Sequence, residues 1–262
     1  MGSARTRCGV PGSGRQSGRA PRAIPATDRV FGHSWHSAAA FAALVIVIAQ
    51  ARDGGVGQLD QTVLGVLQAR RRPAGVSAAR AVSILAEPAF VSPLLAVFAV
   101  IIARRAGWRA ACAPFLAVAS GAAVRRRLSR AIARPRPPAA AWLTEPEGFS
   151  LPSKHTTLAA LTAGACADSA GLPGLLRHAA PLLAAAGVGA SRVYLGVHWP
   201  SDILAGWLFA EGWLGLAESV AAGRAGRPGG SQDQPARGCG DSVIRQEVPL
   251  RLTVVLPGRS GR

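Results

Sequence analysis

Residues 191–202 read Ser191-Arg192-Val193-Tyr194-Leu195-Gly196-Val197-His198-Trp199-Pro200-Ser201-Asp202. Pro200 suits the first turn of a helix, so a loop runs here into a helix start. His198 and Asp202 then lie one turn apart on one face, where the carboxylate can hold an imidazole nitrogen. An imidazole oriented in this way presents its other nitrogen as a base or nucleophile. Arg192 adds a planar fork of donors suited to a phosphate.

Two further blocks lie upstream. Pro152-Ser153-Lys154-His155 places a second histidine beside a lysine and a hydroxyl at the start of an apolar run. Arg127 and Arg134 are two helical turns apart, and Pro135 follows Arg134. In this order the three blocks resemble the type-2 phosphatidic acid phosphatase family, which is related to the vanadium haloperoxidases. The family pattern is Lys-x6-Arg-Pro, then Pro-Ser-Gly-His, then Ser-Arg-x5-His-x3-Asp. The third block matches at every fixed position; the second carries Lys154 in place of glycine, and the first carries Arg127 in place of lysine. The hydrophobic layout extends the resemblance over residues 57–221.

The resemblance implies an all-α integral membrane bundle with a phosphatase/haloperoxidase-like core. It also implies roles. His198 is the expected nucleophile, forming a phosphohistidine that water then cleaves, and Asp202 orients its imidazole. His155 is the expected general acid. Arg127, Arg134, Ser153, Lys154, Ser191 and Arg192 are the expected phosphate-binding set, with Ser153 equally suited to cap the helix that begins near His155. Lys154 either joins the phosphate shell or points outward. Arg125, Arg126, Arg130 and Arg136 read better as a solvated basic face. No metal and no other cofactor is expected, because a ring of arginines supplies the charge that magnesium supplies elsewhere.

Composition points the same way. The chain has 262 residues, 49% of them hydrophobic, and a net charge of +17; its mean hydropathy is +0.25. All but one of its 30 basic residues are arginine, Lys154 being the exception. Such a charge can signal nucleic-acid binding. Here much of it sits in Gly-, Pro- and Ser-rich ends, which suits cytoplasmic tails flanking membrane spans better. Nucleic acid is therefore not an expected partner. The four cysteines are far apart, with no metal-ligand spacing.

In chain order, residues 1–35 read as a disordered basic tail, 36–221 as the membrane-embedded phosphatase domain, and 222–262 as a second disordered basic tail. About six spans are expected, over residues 37–50, 86–103, 110–124, 155–170, 175–190 and 202–220. Residues 57–86 read as amphipathic helices lying at the interface. Glu211 falls inside the sixth span and should face other helices. An even number of spans keeps both termini cytoplasmic and gathers the three blocks at the outer face of the cell membrane. The expected partners are membrane lipids and a lipid phosphate or pyrophosphate substrate, such as undecaprenyl diphosphate, phosphatidic acid or another polyprenyl phosphate. Two other readings are a catalytically silent protein that binds lipid phosphates and a vanadate-dependent peroxidase using the same pocket.

Overall fold

The computed structural model of the protein describes residues 26–52 and 57–225. Among these, regular structure is helical throughout. The α-helices are α1 Ala26–Arg52, α2 Gly57–Ala69, α3 Pro73–Ile84, α4 Pro88–Ala106, α5 Trp108–Ile132, α6 Lys154–Ser169, α7 Gly174–Tyr194 and α8 Pro200–Ala225. A 3-10 turn at Ala139–Ala141 lies in the α5–α6 connection. Local chemistry sets several boundaries. Pro73, Pro88 and Pro200 open α3, α4 and α8, where a missing N–H costs nothing. Gly107, with φ of 84°, separates α4 from α5. Ala133, in the left-handed region, ends α5.

The long helices α1 and α4 to α8 fall on the six expected apolar blocks. α1 begins earlier than expected, at Ala26, so residues 26–35 are helical rather than part of a tail. The expected disorder of residues 1–25 and 226–262 lies outside the described residues. Helix α4 has a mean hydropathy of 1.8, and the Trp35–Arg52 part of α1 reaches 1.3. Nineteen residues of α-helix span about 28 Å, enough to cross a bilayer core. Val45 and Ile46 on α1, and Val97 and Val100 on α4, are more than half exposed. Such a surface is stable against lipid rather than water.

Helix α6 is the centre of the bundle, packed against α4, α5, α7 and α8. Its small residues allow this: Ala160 and Leu161 are wholly buried, and Leu161 shares a core with Val91, Leu95, Val118 and Leu214. Glu211 faces protein, accepting a hydrogen bond from Trp207 Nε1 at 3.2 Å and lying 3.5 Å from His178 Nδ1. The expectation that residues 57–86 form interfacial helices needs refining. Helices α2 and α3 pack on α7 and α8, with Asp60, Leu64, Ala79 and Ser83 buried. They close one end of the bundle.

The up-and-down path brings specific residues to that end. Helix α4 leaves it at Glu87 and α5 returns to it at Arg125. Helix α6 leaves at His155, α7 returns at Arg192, and α8 leaves at Asp202. At the opposite end of these helices Arg177 pairs with Asp168 and Glu218.

Gly196 holds the α7–α8 turn. Its φ is 78°, and a Cβ there would come within 2.1 Å of the Ala141 carbonyl oxygen. A side chain would meet both left-handed strain and an immovable backbone atom. Gly196→Ala is expected to cost about 2–4 kcal/mol, read as a lowered Tm in detergent.

Candidate active site

Helix α8 starts with a built-in cap. Asp202 stands in its first turn and accepts the Trp199 N–H on Oδ2 at 2.9 Å, so a carboxylate reaches back to the residue before the helix. The same oxygen lies 3.3 Å from His198 Nδ1. His198 is 1% exposed and Asp202 is fully buried. On the other side of the ring, Arg136 Nη1 lies 3.1 Å from His198 Nε2. A guanidinium only donates, so Nε2 carries the lone pair and Nδ1 carries the proton given to Asp202. This is the tautomer that an attacking imidazole needs. Burial, opposed by Asp202 and reinforced by Arg136 and Arg192, lowers the His198 pKa to about 4. The ring is therefore neutral at neutral pH.

Of the three expected arginines, Arg192 and Arg134 reach this cluster, Arg134 through Asp202, and Arg136 joins them. Arg136, expected on a solvated face, is fixed against His198. It donates to Val197 O at 2.7 Å, Gly148 O at 2.9 Å, Glu147 O at 2.7 Å and Phe149 O at 3.1 Å. Arg192, an expected phosphate ligand, is buried and interacts electrostatically with both histidines and with Arg136. Its Nη1 donates to Ser83 Oγ at 3.3 Å, and its buried Nε has no hydrogen-bond partner.

Arg134 meets the cluster at Asp202. Nη1 donates to Asp202 Oδ1 and to Ser201 Oγ, each at 2.7 Å, and Nη2 to Asp60 Oδ2 at 2.7 Å. Two buried carboxylates share its donors, and the pairing fixes Asp202. Arg127 is exposed on α5. The inward stripe of that helix runs Ala111, Pro114, Val118, Gly121, Arg125, Ser129. Two residues beyond Arg125 is 200° around the helix, on the far face. Arg125 is the inward cation: 8% exposed, it donates from Nε to Pro152 O at 2.8 Å. The family spacing was counted from Arg134-Pro135. Counted instead from Arg136-Pro137, its lysine position falls on buried Ser129, and Arg125 lies one turn earlier on the same stripe.

His155 stands in the first turn of α6, 6% exposed. Its Nε2 lies 2.6 Å from Glu87 Oε1, and its buried Nδ1 has no partner. Sequence reasoning missed Glu87. An acid next to Pro88 reads as an ordinary helix start, and no spacing ties it to a histidine so far along the chain. Burial alone would raise the Glu87 carboxyl, but the His155 hydrogen bond and the charges of Lys154 and Arg192 hold it below its ordinary 4.5. The stabilisation from that contact is present above pH 4.5 and is lost as pH falls through the lowered value. Glu87→Gln is expected to cut turnover by up to about 10²-fold through loss of His155 positioning. In thermal melts, its deficit against the wild type should vanish in acid. A deficit that does not shrink as pH falls would rule out a contact that depends on the Glu87 carboxylate.

The remaining expected residues take supporting places. Ser153 is the N-cap of α6, its Oγ accepting from Thr156 N at 3.5 Å and from Thr156 Oγ1 at 3.0 Å. Ser191 Oγ pairs with Ser83 Oγ at 3.0 Å and donates to Val188 O at 2.6 Å, which places it behind Arg192. Lys154 is half-buried, with Nζ 3.5 Å from Glu147 Oε2 and 3.9 Å from Glu87 Oε2.

An all-helical bundle with lipid-type outer faces and a buried His-Asp-Arg cluster at one end defines a class: a helical membrane protein. Residues 110–222 match the PAP2 superfamily model. The chain's fold is also that of a solved protein, the transmembrane PAP2-type phosphatidylglycerolphosphate phosphatase from Bacillus subtilis. The TM-score is 0.63 at 22% identity, over 71% of this chain and 96% of that one. No curated protein sequence matches the chain.

Proposed function

We propose that the protein is a metal-independent membrane phosphatase acting on lipid phosphates or pyrophosphates, undecaprenyl diphosphate and phosphatidic acid among them. The observation that carries this reading is His198, with Nδ1 held by Asp202 and the Nε2 lone pair facing a guanidinium. The substrate phosphate enters between Nε2 and Arg136, taking over the arginine's donor. Nε2 then attacks phosphorus, and the bond to the leaving oxygen breaks as His155 gives that oxygen a proton. In the second step water attacks phosphorus, the N–P bond breaks, its electron pair returns to Nε2, and His155 takes the water's proton. Arg136 and Arg192 supply the charge that stabilises the equatorial oxygens.

The reading includes six spans with both termini in the cytoplasm and the site at the outer face. Arg104, Arg105 and Arg109 surround the α4–α5 turn, at the end of these helices away from the site. The positive-inside tendency puts that turn in the cytoplasm. One observation favours a silent lipid-phosphate binder instead, namely Ser129 at the lysine position of the pattern. Phosphate release by detergent-purified protein from lipid substrates, with EDTA present, tests the proposal. Release that EDTA abolishes would end the metal-free mechanism, and no release from any lipid would favour the binder.

A further inference from the structure

Outside the His198 cluster, the strongest concentration of charge lies between the last turns of α5 and the 147–149 loop. Arg125, Arg126, Arg130 and Lys154 line a cleft of about 260 Å³ there, with Glu147 as the one carboxylate in its lining. Arg126 and Arg130 make no ion pair among the described residues, and both are exposed. Lys154, the only lysine in the chain, reaches Glu147 at no closer than 3.5 Å. Four cations facing one acid repel one another unless an anion joins them.

The cleft does not stand alone. Arg125, Arg126 and Lys154 also form one end of a second cleft, of about 320 Å³, that runs between α4, α5 and α6. Its walls are apolar, including Val91, Leu95, Phe115, Val118 and Leu158. A polar cationic space and an apolar slot therefore meet at three shared cations. One molecule with a lipid tail and a multiply charged head satisfies both. Arg125, which lines both clefts, also interacts electrostatically with Arg136 and Asp202, so the cationic cleft lies near the His198 cluster.

We propose that Arg126, Arg130 and Lys154 form a second anion subsite, which binds a further phosphoryl group of the substrate beside the one that reacts at His198. The subsite rests on the phosphatase reading and narrows it to lipids that carry two phosphoryl groups, a polyprenyl diphosphate being the simplest. Arg125 lines the outer subsite and interacts electrostatically with Asp202 and Arg136 of the inner one. Lys154, where the family pattern has glycine, is then a specificity residue that adds reach to the outer subsite.

The test compares kcat/KM for a polyprenyl diphosphate and the matching polyprenyl monophosphate in wild type, Arg126→Gln, Lys154→Gln and the double variant. The diphosphate-to-monophosphate ratio should fall roughly tenfold in the double variant, mainly through KM, as expected for lost charge-assisted contacts. An unchanged ratio, with or without an equal fall on both lipids, overturns the subsite, because general attraction to anionic surfaces moves both substrates together. A second measurement does not depend on turnover. Inorganic pyrophosphate should raise the wild-type Tm more than inorganic phosphate does at equal ionic strength, and the double variant should lose that excess. If the wild type cleaves neither lipid, the phosphatase reading fails by itself. The pyrophosphate melts then decide the subsite, and equal shifts from both anions in the wild type would overturn it.

Discussion

His198→Ala should abolish phosphate release, with kcat falling by at least about 10⁴-fold, as for the loss of a nucleophile whose partners act as one unit. The imidazole is enclosed, with one nitrogen on Asp202 and the other against Arg136, and no other described histidine shares both contacts. Asp202→Asn probes the orienting role. The amide would still fill the space but would no longer favour the Nδ1–H tautomer, so a loss of about 10²–10⁴-fold is expected. Combining the two changes should cost little more than His198→Ala alone. Single-turnover assays with rapid acid quench measure these effects, and Tm values confirm folding. Release persisting within tenfold of wild type in His198→Ala would remove the phosphohistidine from the mechanism.

Three arginines of the α5–α6 region should separate into three phenotypes. Arg136→Ala removes the donor facing Nε2 and should lower kcat by about 10²–10³-fold, typical of a lost transition-state donor. Arg127→Ala alters an exposed side chain on the outer face of α5 and should stay within about threefold of wild type, with stability unchanged within about 0.5 kcal/mol. Arg134→Ala leaves the buried Asp60 and Asp202 without their shared cation, and should destabilise the fold by about 3–5 kcal/mol. Steady-state kinetics and thermal melts on the three variants distinguish them. Strong catalytic loss in Arg127→Ala, with Arg136→Ala active, would restore the register counted from Arg134.

Much of the fold was legible because apolar blocks of bilayer length leave few alternatives. The His198-x3-Asp202 pair was legible because both residues belong to one helix start, where spacing translates directly into geometry. The placement of the arginines was less legible for a related reason. Arg134-Pro135-Arg136-Pro137 offers two registers of one pattern. The stripe from Ala111 to Ser129 could have decided between them, since helical spacing carries the buried face to Arg125 and past Arg127. Glu87 and Asp60 were beyond reach. Each meets its partner across the bundle, and a single sequence shows no trace of such pairings.

The Asp60–Arg134–Asp202 bridge bears on what counts as the working unit of this protein. Asp60 belongs to α2, well before the segment 110–222 that carries the family signature. Glu87, on His155, also precedes that segment. The matched segment therefore contains His155, His198 and Asp202, but neither Asp60, the second carboxylate on Arg134, nor Glu87, the partner of His155. Excised or grafted into another scaffold, it would present Arg134 with one buried carboxylate instead of two, freeing a guanidinium to compete for the phosphate. The transferable module begins no later than Gly57, and a chimera that joins the chain any further on should need a substitute acid for each.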